Sequence, residues 1–188
     1  PEHEWDGKRT IAKNLGFGII YGVSAHGFHR QNRSTSVEEA DLYIKQWLNA
    51  RPEVRDKMEE RRRLVLKNGR IVDMFGRVVW VPEVYVDDRK VREEGVRTAI
   101  NAPTQGSAAT LIKMDMVAID DELQARGLGT RMLLQVHAEL IFEVPVEEFE
   151  EVIPLIRDMM AHTWEFPIPT PVEAKAGLRW GYLEEVGV

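Results

Sequence analysis

Cysteine is absent from the 188 residues. That excludes disulfides and thiolate-bound zinc, and it suits a reducing compartment. Nowhere do apolar residues run to the roughly 18 that a membrane span needs. The opening stretch PEHEWDGKRT is charged and lacks the apolar segment of a signal peptide, so the expected location is cytoplasmic. A basic surplus is missing too: the formal net charge is −6, which argues against a wholly basic nucleic-acid binder. Neither GxGxxG nor GxxxxGK(S/T) occurs, so there is no glycine-rich phosphate loop. Repeats and low-complexity tracts are also lacking.

What remains is 44% hydrophobic, enough to bury a core in one domain or a domain plus a subdomain. Charge is unevenly spread. Lys8, Arg9 and Lys13 lie early, Arg61, Arg62, Arg63, Lys67 and Arg70 cluster in the middle, and Arg89, Lys90, Arg92 and Arg97 follow. Acidic residues gather late, in VEEFEE (Val146–Glu151) and LEE (Leu183–Glu185). A solvated mixed-charge surface accounts for this pattern, and a locally basic face for a phosphate backbone is the alternative.

Asp6 is placed to cap a helix over Gly7–Gly22. Ser36-Val-Glu-Glu39 is a capping box opening a helix to Asn49, and Pro52 suits the first turn of a helix to Lys67. Ile71–Met74 and Val78–Val81 read as a hairpin around Phe75-Gly76-Arg77. A helix is expected from Asp88, interrupted near Pro103 and resuming to Arg126. A second hairpin surrounds His137-Ala138-Glu139. A helix over Val146–Thr163, a strand over Val172–Ala176 and an irregular tail complete the reading. The expected class is α+β, with helices first and a small antiparallel sheet later.

Within RTIAKNLGFGIIYG, Arg9, Lys13, Phe17 and Tyr21 recur every four residues, which on a helix makes one stripe. Two cations one turn apart repel unless an anion lies between them, and aromatic faces two turns on suit a base or sugar. Such a face is able to hold a nucleoside triphosphate. An ordinary amphipathic helix with incidental charge fits the spacing as well. His137 and Glu139 spell HxE, but a zinc deaminase also needs PCxxC, which a chain without cysteine cannot supply. His3, His26, His29 and His162 read as surface or packing residues.

The pattern RxxxKxxxFGxxYG resembles the motif B helix of family A (Pol I-like) DNA polymerases. FGRVVWVP (Phe75–Pro82), REEGVRTAINAPTQGSAATLIKMDM (Arg92–Met116) and LLQVHAEL (Leu133–Leu140) are similar, in order, to later segments of that family. The last resembles motif C. The resemblance spans nearly the whole chain. It implies residues 1–70 as a helical fingers subdomain and residues 71–188 as the later half of a palm, with part of an antiparallel sheet packed against helices. It also implies a bacterial or phage-encoded protein that acts on incoming dNTP and primer–template DNA.

By position, the resemblance assigns Arg9, Lys13, Phe17 and Tyr21 to dNTP binding, with Lys13 also the proton donor to pyrophosphate. Arg77, Arg97, Asn101, Gln105, Gln135 and His137 are assigned to DNA. Lys13, His137 and Glu139 are the candidate catalytic residues. Two Mg2+ ions are implied for the complete enzyme, but the motif C aspartate aligns with Ala138, whose methyl group cannot ligate magnesium. Motif A, DxSxxE, is absent, and with it the thumb. A second polypeptide is expected to supply both, leaving an unpaired sheet edge and an exposed apolar face here. The alternative is a non-catalytic DNA-binding or polymerase-partner module.

Overall fold

The computed structural model describes residues 2–187, with side chains from Arg9 onward. It is α+β as expected, with antiparallel two-stranded sheets among long helices. The chain divides into two compact units, residues 1–106 and 107–188.

The first unit begins with α1 (Glu2–Ile20), which starts earlier than the sequence reading and so has Asp6 inside it rather than at its cap. The side chains of Asp6 and His3 lie outside the described residues. α1 also stops sooner. Val23 N–H donates to the Gly18 carbonyl at 2.8 Å and Gly22 N–H to that of Ile19 at 2.9 Å. Gly22 has φ +71°, so it closes the helix in a left-handed turn that a side chain would strain.

A short helix not expected from the sequence follows, α2 (Ala25–Gln31), capped by Ser24, whose hydroxyl accepts from Gly27 N–H at 3.1 Å. Its Phe28 is completely buried. In α3 (Val37–Asn49) the expected capping box forms, with both Ser36 and Glu39 bonding across the helix start. Leu15, Ile19, Phe28 and Ala40 join these three helices in one core.

Helix α4 (Pro52–Asn68) opens on Pro52 and ends at Gly69, whose φ is +64°. The hairpin of β1 (Arg70–Val72) and β2 (Val78–Trp80) pairs Ile71 with Val79. α5 (Arg89–Ala125) starts in this unit and continues through Pro103 without the interruption expected there. One proline removes one N–H from the ladder. Beside it Val96 and Ala99 are buried with Val65, Ile71, Val81 and Val84 in a second core, and burial on that scale outweighs a single lost bond. Arg62 of α4 forms a two-bond ion pair with Glu93 of α5, at 3.1 and 3.0 Å.

The second unit holds the rest of α5, then β3 (Arg131–Val136), β4 (Glu139–Glu143) and α6 (Phe149–His162), which follows a single 3-10 turn at Val146–Glu148. Ile119, Leu123, Val152 and Ile156 form its core, with Met132, Leu140 and Phe142 packed on it. β3 carries a register shift between Met132 and Leu134. Leu133 and Leu134 are about half exposed, at 53% and 48%, and among the described residues β3 pairs with β4 alone.

The strand expected over Val172–Ala176 shrinks to β5 (Lys175–Ala176). The tail expected to be irregular supplies its partner, β6 (Glu184–Glu185). The Val172 carbonyl is taken by Arg157 Nε at 3.1 Å instead, and Pro167, Pro169 and Pro171 have no N–H to offer a ladder. Among the described residues no helix is long and apolar enough to cross a membrane.

Candidate functional site

The α1 stripe faces solvent. Leu15 and Ile19 turn into the core, at 8% and 2% exposure, whereas Phe17 stands out at 58% and Tyr21 at 49%. Arg9 and Lys13 are exposed on the same side. A large phenyl ring left in water beside two cations is not explained by packing, since the helix already has an apolar face for its core. Tyr21 sits just past the last helical residue, and its N–H still reaches the Phe17 carbonyl at 3.0 Å.

α1 ends against the first half of α5. At Gly22 a Cβ would lie 2.9 Å from Arg97 Cγ, so the stop of one helix and the arginine of the other are in direct contact. Arg97 also pairs with Glu94 one turn back, its Nε at 3.1 Å. Asn101 Nδ2 donates to the Arg97 carbonyl at 3.1 Å, and Gln105 is exposed. Arg61, assigned no role from the sequence, reaches from α4 to the Ile100 carbonyl at 2.7 Å and Thr104 Oγ1 at 3.3 Å. Burial lowers the pKa of its guanidinium. Between β1 and β2, Arg77 is half exposed beside the buried Asp73.

In the second unit the reversal between β3 and β4 consists of His137 and Ala138, flanked by the pair Val136–Glu139. His137 has φ +55°, the one positive value outside glycine among the described residues. A left-handed non-glycine residue is strained by roughly 1–2 kcal/mol. Gln135 braces the turn by donating Nε2 to the His137 carbonyl at 2.8 Å. His137, Ala138 and Glu139 are all exposed. Gln135 and His137 therefore meet, as do Arg97 and Asn101 on α5.

Ala138 lines a cavity of about 180 Å³ together with Asp115, Ile112, Trp164 and Phe166. Asp115 is 3% exposed, and its Oδ1 has no hydrogen-bond partner. Burial raises its pKa, against a smaller opposing pull from Thr163. The Thr163 hydroxyl already donates to the Met159 carbonyl at 2.8 Å. A hydroxyl has one proton, so Asp115 in its protonated form is the better neighbour for it. Sequence reasoning passed over this residue, although it lies on the buried stripe Ile112, Ile119, Leu123 of α5, where an acid is out of place. The more obvious run Asp120-Asp121-Glu122 is surface: Asp120 accepts from Gln124, and Glu122 pairs with Arg126.

The residues around the β3–β4 turn do not fit a magnesium site. Position 138 offers a methyl group, Asp115 is a single buried carboxyl biased toward protonation, and Glu139 stands in solvent. Among the described residues no group of three or more His, Asp or Glu converges as metal ligands. His29 Nδ1 bonds the Thr35 carbonyl at 2.7 Å and His162 Nδ1 that of Asp158 at 2.9 Å, both packing or surface roles as expected.

Comparison with known proteins shows the family of the chain. The model of DNA polymerase family A matches residues 2–182. DNA polymerase I of Pseudomonas aeruginosa is 39% identical over 173 residues, covering 92% of this chain and 19% of that protein. The thermostable DNA polymerase I of Thermus aquaticus is 37% identical over 172 residues, covering 92% and 20%. Among solved structures, the POL domain of Pol1 from M. smegmatis in complex with DNA primer-template and dNTP superposes with a TM-score of 0.81 at 37% identity. It covers 86% of this chain and 28% of that one. This chain therefore spans about a fifth of the length of these curated relatives. With matched residues running from one end of the fold to the other, the chain belongs to DNA polymerase family A.

Proposed function

We propose that the chain is the C-terminal fingers and later-palm portion of a template-directed DNA polymerase, and that it binds incoming dNTP and primer–template DNA for nucleotidyl transfer. The observation that carries this is the α1 face: Arg9, Lys13, Phe17 and Tyr21 all stand in solvent while Leu15 and Ile19 make the core. The cations meet the triphosphate, where charge builds on phosphoryl oxygens during transfer. Lys13 holds the proton destined for pyrophosphate. Phe17 packs on the sugar and base, and Tyr21 lies by the templating base.

On this reading, residues 1–70 act as fingers and residues 71–188 as palm. Arg97, Asn101 and Gln105 run along the minor groove, whose acceptors are alike at every base pair, so contact is made without reading sequence. Arg77 touches the primer backbone, and Gln135 and His137 lie at the primer terminus. A relative was solved with primer-template and dNTP, which supports the choice of ligands. Transfer in such enzymes draws on divalent metal ions that align the 3′-hydroxyl and neutralise phosphate. Ala138 leaves this chain without a carboxylate ligand there, so we read the turn as unable to hold such an ion as it stands.

The test is primer extension by the chain combined with the motif A and thumb portion of a relative, with and without Ala138→Asp. Extension that depends on the aspartate supports the reading. DNA binding without extension in the aspartate variant favours the second reading, a non-catalytic DNA-binding module, for which the methyl group at 138 is the motivating observation.

A further inference from the structure

Asp73 serves the β1–β2 hairpin with its two oxygens differently. Oδ1 accepts the N–H groups of Phe75 at 3.0 Å and Arg77 at 2.9 Å, and Asp73 N–H donates to the Arg77 carbonyl at 3.0 Å. That set alone fixes the turn, and an uncharged Asn or Ser would provide most of it. Oδ2 is therefore surplus to the turn. It is nonetheless buried without a hydrogen-bond partner, on a side chain that is 0% exposed. A buried carboxylate oxygen without a donor is costly unless a cation faces it. Arg77 Nε lies 3.9 Å away, on a side chain that is 51% exposed. α5 approaches the pair at Gly106, where a Cβ would lie 3.0 Å from Asp73 Oδ2 and 3.3 Å from Arg77 Nη2. A side chain at 106 would make the pair give way by a few tenths of an ångström.

We propose that Asp73 is a positioning residue for Arg77: one oxygen shapes the turn, and the charge on the other, at ion-pair distance from Nε, holds the guanidinium in place. This leaves the Nη groups to meet an anion in solvent. A guanidinium held by one edge still presents a two-pronged donor to a phosphate, with less side-chain freedom to lose on binding. The proposal rests on the reading of Arg77 as a contact to the primer backbone, and the bare Gly106 leaves room for the pair beside the helix.

Primer–template binding by the protein, followed by fluorescence anisotropy over a salt series, tests it. Arg77→Ala is expected to weaken binding about tenfold and to lower the salt slope by about 1. Asp73→Asn keeps a carbonyl for both amides, so its melting temperature stays near that of the unsubstituted protein. It is still expected to reproduce the Arg77→Ala loss, and the double variant to bind no more weakly than Arg77→Ala alone. Asp73→Asn binding as tightly as the unsubstituted protein, or losses that multiply in the double variant, would overturn the proposal. If the unsubstituted protein does not bind the DNA, the reading of Arg77 fails, and positioning is decided by NMR instead. An Arg77 Nε–H chemical shift that moves toward that of a free arginine in Asp73→Asn supports it, and a signal indifferent to Asp73→Asn rejects it.

Discussion

Asp115 and Ala138 line the same cavity, one as a buried carboxyl with an oxygen unpartnered and the other as a bare methyl group. A second carboxyl at 138 would share that apolar space, and two like groups there oppose each other's ionisation. Ala138→Asp is therefore expected to lower stability at neutral pH, and Asp115→Asn to restore most of it. Urea denaturation of the two single variants and the double variant measures the coupling. Additive effects would show that the two positions do not communicate.

The pH dependence of the second unit should carry two opposed contributions. Asp115 has a raised pKa through burial, so the folded state holds its proton more tightly than the unfolded chain. Its contribution is full below the ordinary aspartate range and is lost as pH rises through the raised value. Glu148 is the reverse. Thr130 Oγ1 at 2.7 Å and the N–H groups of Gly129 at 2.6 Å and Thr130 at 2.9 Å lower its pKa. Its contribution is present above the ordinary glutamate range and is lost as pH falls through the lowered value. Asp115→Asn should flatten the alkaline side of a stability–pH profile, and Glu148→Gln the acid side. A profile unchanged by either variant counts against the assignment.

Gly22→Ala should destabilise the first unit by about 1–2 kcal/mol, from the left-handed backbone alone. The new methyl group would also press on Arg97. Thermal melting of the variant reads the first effect. A Gly22→Ala protein as stable as the original would mean that the α1 stop is not fixed in solution.

Lys13→Ala and Phe17→Ala should leave stability nearly unchanged, because both side chains are exposed. Loss of a charge-assisted contact of about 1.5–3 kcal/mol corresponds to a roughly 10- to 100-fold weaker dNTP affinity for Lys13→Ala. Calorimetry with a dNTP and primer–template DNA present checks this. An affinity unaffected by Lys13→Ala would remove the phosphate role from α1.

Where local chemistry decides the outcome, the sequence was readable in advance. The Ser36–Glu39 capping box and Pro52 at a helix start appear where their residue types require them, and the reversal expected around His137-Ala138-Glu139 falls at His137–Ala138 between its two apolar runs. Distant packing was less visible. Pro103 argues for a break, but Val96 and Ala99 are held by residues of other elements, which no local signal reveals. α2 escaped because AHGFHRQ is short and contains a glycine, and its stability comes from Phe28 in the core. In the candidate site, the exposed α1 stripe follows from a period of four. The significance of Asp115 depends on its burial beside Ala138, and sequence separation hides that neighbourhood.

The awkward torsion of the β3–β4 reversal resides at His137, and Ala138 has no positive φ. Exchanging the methyl at 138 for a longer side chain thus leaves the ribbon's path as it was. What resists the exchange is the company that the new group keeps, so the tolerance of position 138 for a carboxyl is set by Asp115, its neighbour across the cavity.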